Sequence, residues 1–189
     1  MKVSTRHPDG RPRCAWVTDD ALYRAYHDEE WGRPAHDGRR LYEMLSLESF
    51  QAGLSWLTIL RKRPAFRSAF AGFQPETVAA FGEEDIVRLL NNPGIVRHRG
   101  KIEATISGAR AWLEIESSHP GGFSAFIWEH RPAAPHRSGD GSGLQEATQL
   151  SRRLKQSGFR FVGPTITHSF MQAAGLVQDH DGACFLRED

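Results

Sequence analysis

Two cysteines stand near opposite ends of this 189-residue chain, each with a histidine at metal-ligand spacing. Twelve residues separate Cys14 from His27, and three separate His180 from Cys184. Two thiolates and two imidazoles make the donor set of a closed tetrahedral zinc site with no position left for water. Such an ion would be structural and would fasten the start of the chain to its end. The other reading is a pair of unrelated buried cysteines in a chain with nine histidines. Spacing alone leaves both open, because the two halves are far apart in sequence.

Glu48 is the second candidate. Leu41, Met44, Leu45 and Glu48 recur at i, i+3, i+4 and i+7, which puts a carboxylate on the apolar face of a helix. An unpaired charge there is costly. It is either paired with an arginine or frayed into solvent, or it belongs to a ligand pocket. Gln51, Ala52, Gly53 and Trp56 follow at once, and small residues beside an aromatic suit a ligand slot. Trp16, Tyr23, Tyr26, Trp31 and Trp56 are all in the first third of the chain, as core or as a binding cage. The third candidate is the stretch FVGPT ahead of a helix. A glycine hairpin opening a helix aims backbone N–H groups and a positive dipole end at one point, which suits a DNA phosphate. Arg152, Arg153 and Lys155 just before it add charge, although an ordinary helical hairpin would read the same way.

No phosphate-binding P-loop, serine-hydrolase elbow, H-E-x-x-H helix or zinc-deaminase pattern is present. The formal net charge of +1 gives no general attraction for nucleic acid, so DNA binding must rest on local clusters. These are residues 61–63, 97–101 and 152–160. The polar start is unlike a signal peptide and no apolar run reaches membrane-spanning length, so a cytoplasmic protein is expected.

The positioning elements are helices, since helical periodicity dominates and no period-2 strand stands out. Residues 1–13 read as a disordered extension, and residues 14–189 as a single domain. Asp19 or Asp20 caps a first helix reaching about residue 30, with Tyr23, Tyr26 and His27 on one face. Asp37 caps the Glu48 helix, and Gly53 breaks it. A third helix carries Trp56 and stops at Pro64. Shorter helices follow near 65–70, 75–81 and 83–90. A turn at 91–94 leads to a long amphipathic helix that ends before Pro120. Residues 123–128 precede a Pro/Gly/Ser-rich loop at 131–143. The segment 144–157 is helical and closed by Gly158, and a last helix runs from Thr165 to about residue 174.

Taken together, RCAWV, YRAYHDEEWG, LYEMLSLESFQAGLSW, GIVRHRGKI, GFRFVGPTITHSFMQAAGLVQDH and the final Cys184 closely resemble the 3-methyladenine DNA glycosylase I family. The likeness runs from about Arg13 to Cys184. It implies an all-α helix-hairpin-helix glycosylase fold, with the hairpin element at about 144–176 and a zinc ion on Cys14, His27, His180 and Cys184. It implies a base pocket of Trp16, Tyr23, Tyr26, Glu48 and Trp56, with Glu48 and Tyr26 as the catalytic pair. DNA contacts are then expected from Gly163 and Thr165 of the hairpin and from Arg153 and Lys155 beside it.

The implied partner is double-stranded DNA with alkylated bases, met by a monomer that flips the base and leaves an abasic site. Superfamily relatives carry a catalytic aspartate after the hairpin helix. In this family that role is not filled, and Asp179, flanked by His180, reads as structural. His168 stands where the family often has tyrosine, Ser49 and Phe50 where small residues are common, and residues 131–149 are diverged. A non-catalytic DNA-binding module with the same zinc is the alternative. A small zinc hydrolase is a third reading, and it would need an open metal position.

Overall fold

A computed structural model describes residues 5–133 and 143–187, and almost all of their regular structure is helical. Among these residues the one sheet is a two-stranded antiparallel hairpin, β1 (Thr5–Arg6) and β2 (Pro12–Arg13). The extension expected to be disordered is therefore structured over its described part. One buried guanidinium and one buried imidazole hold it: Arg13 binds both Asp9 and Asp28, and His7 Nδ1 lies 2.9 Å from Asp19. Most of the 131–143 loop lies outside the described residues.

Helix α1 (Ala21–Glu29) starts where Asp20 accepts hydrogen bonds from the N–H groups of Leu22 and Tyr23. Helix α2 (Gly38–Gln51) starts at Asp37, which accepts from Arg40 N at 2.7 Å. It crosses the centre of the molecule, and every residue from Leu45 to Phe50 is buried. Its C-terminal carbonyls are closed by a lysine: Lys101 Nζ donates to Phe50 O at 3.0 Å and Ala52 O at 2.9 Å. Gly53, at φ +86°, then turns the chain.

Helix α3 (Trp56–Ala69) runs straight through Pro64, against the expected stop. A proline in a helix removes one backbone hydrogen bond and crowds the preceding turn. Pro64 sits on the exposed side, while Phe66 and Ala69 beyond it are buried. Phe66 packs 4.7 Å from the ring of Phe50, so core burial carries the helix past the break. A 3-10 turn at Ala71–Phe73, unforeseen from the sequence, leads to α4 (Pro75–Ala79) and α5 (Glu83–Leu90). The long helix α6 (Arg99–Ser118), the short α7 (Gly122–Trp128), α8 (Leu144–Gln156) and α9 (Pro164–Ala173) follow the expected order.

The main core gathers Tyr42, Phe50, Phe66, Phe70, Phe73, Phe123 and Phe170, all fully buried, around α2, α6 and α9. A second cluster is small: Cys14, Val17 and Cys184, with Trp16, Trp31 and Leu186 against it. It joins the two ends of the chain with little apolar area. No described helix is long and apolar enough to cross a membrane.

Candidate functional site

Helix α1 serves two sites from one face. Tyr23 and Tyr26 turn toward Glu48 on α2, while His27 turns toward the chain ends. Between α1, α2, α3 and α9 lies a cleft of about 320 Å³, lined by Trp16, Tyr23, Tyr26, Trp31, Glu48, Gln51, Trp56, Ser169 and Gln172. That is the size of a small-molecule site. All five residues expected in a pocket line this one.

Aromatic rings make most of the wall. Tyr26 and Trp56 lie 5.5 Å apart, Trp16 and Tyr23 5.0 Å apart, and Trp16 and Trp31 5.2 Å apart. Glu48 is 5 % exposed, and among the described residues no arginine pairs with it. The nearby Arg63 is committed instead to Glu30 through two 2.7 Å bonds. Burial with no cation partner pushes the Glu48 carboxyl up to about 8. Burial thus favours the neutral carboxyl over the ionised carboxylate when no positive charge lies beside it. Tyr26 is raised well above the usual phenol range by burial and by Glu48, so it remains an O–H donor. Trp56 Nε1 is buried beside the Tyr26 hydroxyl.

Four of the lining residues, Trp31, Gln51, Ser169 and Gln172, were not assigned to the pocket from sequence. Trp31 belonged to the aromatic group, with nothing to aim it at the cleft. Ser169 and Gln172 stand one helical turn apart on α9, some 120 residues beyond Glu48, and no local pattern ties them to it. Gln172 is oriented by a hydrogen bond from its Nε2 to Asp179.

Cys14, His27, His180 and Cys184 converge, all buried, with their donor atoms within 4.8 Å of one another. Cys184 Sγ is 3.4 Å from His27 Nε2 and 3.5 Å from His180 Nδ1, and Cys14 Sγ is 3.5 Å from His180 Nδ1. Ligands at metal–ligand bonds of about 2.0–2.3 Å in a tetrahedron stand about 3.3–3.8 Å apart, so these four fit an ion. Without a cation the two sulfurs cannot both ionise. The Cys14 contact holds Cys184 low, and the same contact together with burial pushes Cys14 up. A divalent ion removes that conflict. The cluster could thus hold a metal ion with all four positions filled by protein.

The hairpin Phe161–Val162–Gly163 is pinned by Ser151 Oγ and Thr167 Oγ1, which donate to Val162 O at 2.6 and 3.2 Å. A Cβ added at Gly163 would meet nothing within 4 Å, so the backbone there is open to a close approach. Thr165 is exposed in the first turn of α9. Arg153 is not aimed at this point as expected. Its guanidinium is 3.0 Å from Glu129 and stacks 4.5 Å over Phe126. The residues beside the hairpin come instead from the start of α6: Phe161 packs on His98 and against Gly100, next to the exposed Arg97.

Residues 16–187 match the family model for methyladenine glycosylase, nearly the whole chain. The chain belongs to the methyladenine glycosylase family. It is 49 % identical over 178 residues to DNA-3-methyladenine glycosylase 1 of Escherichia coli, covering 91 % of this chain and 95 % of that one. A crystal structure of 3-methyladenine DNA glycosylase I superposes with a TM-score of 0.87 at 49 % identity, over 93 % of this chain and 100 % of the other. A tyrosine-to-phenylalanine variant of a 3-methyladenine DNA glycosylase I, solved with 3-methyladenine, superposes with a TM-score of 0.83 at 42 % identity. It covers 91 % of this chain and 95 % of its own. The fold of this glycosylase family and an aromatic cleft thus occur together in the present chain.

Proposed function

We propose that this chain excises 3-methyladenine from alkylated DNA, and that the cleft between α1, α2, α3 and α9 receives the flipped base. The observation that carries the reading is a buried carboxylate, Glu48, inside a wall of aromatic rings. Methylation at N3 gives the base a formal positive charge, and a cation is drawn to aromatic faces by roughly 0.5–2 kcal/mol per contact. Trp56 and the Tyr23/Tyr26 face supply those contacts.

The cation also makes ionised Glu48 favourable. Its entry displaces the Glu48 proton, and the carboxylate accepts a hydrogen bond from the exocyclic N6 amino group. A methylated guanine offers O6 at the same place, and two lone-pair acceptors repel. Water then attacks C1′. The C1′–N9 bond breaks with its electrons passing to the base, which leaves neutral, and the water proton goes to solvent. Because the leaving group is already cationic, the protein need only extract the base, hold it and shield it from water. Tyr26 stays protonated and positions the base as a donor. Among the described residues no lysine lines the cleft, so an abasic site without strand cleavage is the product.

Cys14, His27, His180 and Cys184 hold one zinc ion, which supplies a cross-link between the chain ends and takes no part in the chemistry. Duplex DNA is gripped at Gly163 and Thr165, where the first N–H groups of α9 lack intrahelical acceptors. Lys155 adds charge on that side. A DNA-binding module without catalysis would have no use for the cleft, and a zinc hydrolase would need an open coordination position. The test is to incubate the protein with alkylated duplex DNA and identify released bases by chromatography. Release of 3-methyladenine is expected, and its absence would overturn the reading.

A further inference from the structure

The N-terminal hairpin precedes the family match, which begins at residue 16, yet it reaches into the metal cluster. Asp9, in the turn between its strands, takes two hydrogen bonds from the Arg13 guanidinium, at 2.9 and 2.7 Å. Arg13 is 2 % exposed, and its Nη2 and Nε donate in turn to Asp28 at 2.6 and 2.9 Å. Asp28 Oδ1 lies 2.8 Å from His27 Nδ1. The other nitrogen of that imidazole, Nε2, faces Cys184 Sγ. The far side of the hairpin holds the second half of the cluster, since Phe185 N donates to Pro12 O at 2.9 Å. Arg11 and Arg13 also lie over the Phe185 ring at 5.1 and 5.4 Å.

We propose that Asp9, Arg13 and Asp28 form a hydrogen-bonded relay that fixes His27 as a metal ligand through Nε2. The hairpin is thereby a positioning device for the metal site. It rests on the reading of the four-residue cluster as a zinc site. A carboxylate accepting from Nδ1–H selects the tautomer whose Nε2 lone pair points at the ion, holds the ring in plane and raises its basicity. Asp28 does this directly. Arg13 keeps the Asp28 carboxylate from rotating, and Asp9 keeps Arg13 in place. Among the described residues no carboxylate supports His180 in this way: it presents Nδ1 to the sulfurs, and its Nε2 faces Gly32, where a Cβ would come within 3.0 Å.

The experiment measures zinc affinity of the full chain by competition with a chromophoric chelator, alongside the visible spectrum of the cobalt-substituted protein. Asp28→Asn should weaken zinc binding about 10–100-fold and alter the cobalt bands. Asp9→Asn should do so to a smaller but measurable extent. Asp19→Asn removes the other carboxylate contact of the hairpin, the one with His7, and should leave both readouts unchanged. If Asp28→Asn and Asp9→Asn bind zinc as the parent does, the relay is refuted. It is also refuted if Asp19→Asn is as damaging as Asp9→Asn, since the effect would then be general loosening. A parent protein that neither contains nor takes up zinc would refute the zinc reading itself.

Discussion

Trp16 and His27 meet edge-on, their ring centroids 5.3 Å apart and their planes at 65°. Through this contact the Cys/His cluster and the aromatic cleft share a wall. His27 is a proposed ligand, and Trp16 lines the cleft beside Tyr23 and Trp31. Trp31 repeats the arrangement, with its ring 4.8 Å from His180. The packing of the chain ends therefore also sets the positions of two aromatic rings of the cleft.

Loss of the metal should accordingly be felt in the cleft. Cys14→Ser should lower stability by several kcal/mol, because structural zinc contributes folding free energy. Elemental analysis should give one zinc per parent chain and less in the variant. Tryptophan emission should shift on chelation, since Trp16 and Trp31 both touch ligand imidazoles. An unchanged spectrum in a protein shown to have lost zinc would separate the two sites.

Glu48 is raised in the folded state, to about 8, so the native protein keeps a proton that the unfolded chain releases near its usual value of 4.5. Stability from this group falls as pH rises between those two values. Glu48→Gln should thus stabilise the protein by about 1 kcal/mol at pH 5.5 and about 4–5 kcal/mol at pH 8.5. Denaturant unfolding at the two pH values is the check, and a gain independent of pH would remove the buried-carboxylate account.

The same substitution should damage recognition. An amide can turn its N–H toward O6, so Glu48→Gln should lose much of the preference for 3-methyladenine over 7-methylguanine. For the parent, that preference should narrow as pH falls and Glu48 stays protonated. Trp56→Ala should cost more than tenfold in excision rate and Tyr26→Phe less, since only the first removes an aromatic face. Excision rates on both lesions across pH would show it.

On the DNA side, neutralising Lys155 or Arg97 should weaken binding to all duplexes alike and reduce the salt slope by about one per lost phosphate contact. Arg153→Ala should leave the slope alone, because its guanidinium is engaged with Glu129 and Phe126. A slope change for Arg153 alone would place the interface on the wrong face.

Much of this was legible in the chain because the signals are local. Asp20 and Asp37 cap helices through their own side chains, Gly158 takes a positive φ of 103°, and Tyr23, Tyr26 and His27 share a face by spacing alone. Glu48 stood out as a charge in an apolar stripe. What stayed hidden depends on distant partners. Pro64 looked like a stop because nothing nearby shows Phe66 packing on Phe50. Residues 5–13 looked unstructured because their order comes from Asp28 and Asp19, on and before α1. Arg153 looked free because Glu129 lies across a loop of diverged sequence. Ser169 and Gln172 join the cleft only when α9 packs against α2.

The most direct measurement is base release from alkylated duplex DNA by the parent, Glu48→Gln and Trp56→Ala. The parent should liberate 3-methyladenine and little 7-methylguanine, leave abasic sites and cut no strand. Both variants should be folded and zinc-loaded, with Trp56→Ala slow and Glu48→Gln poorly selective. Release of 3-methyladenine at the parent rate and selectivity by both variants would contradict a reaction carried out in this cleft.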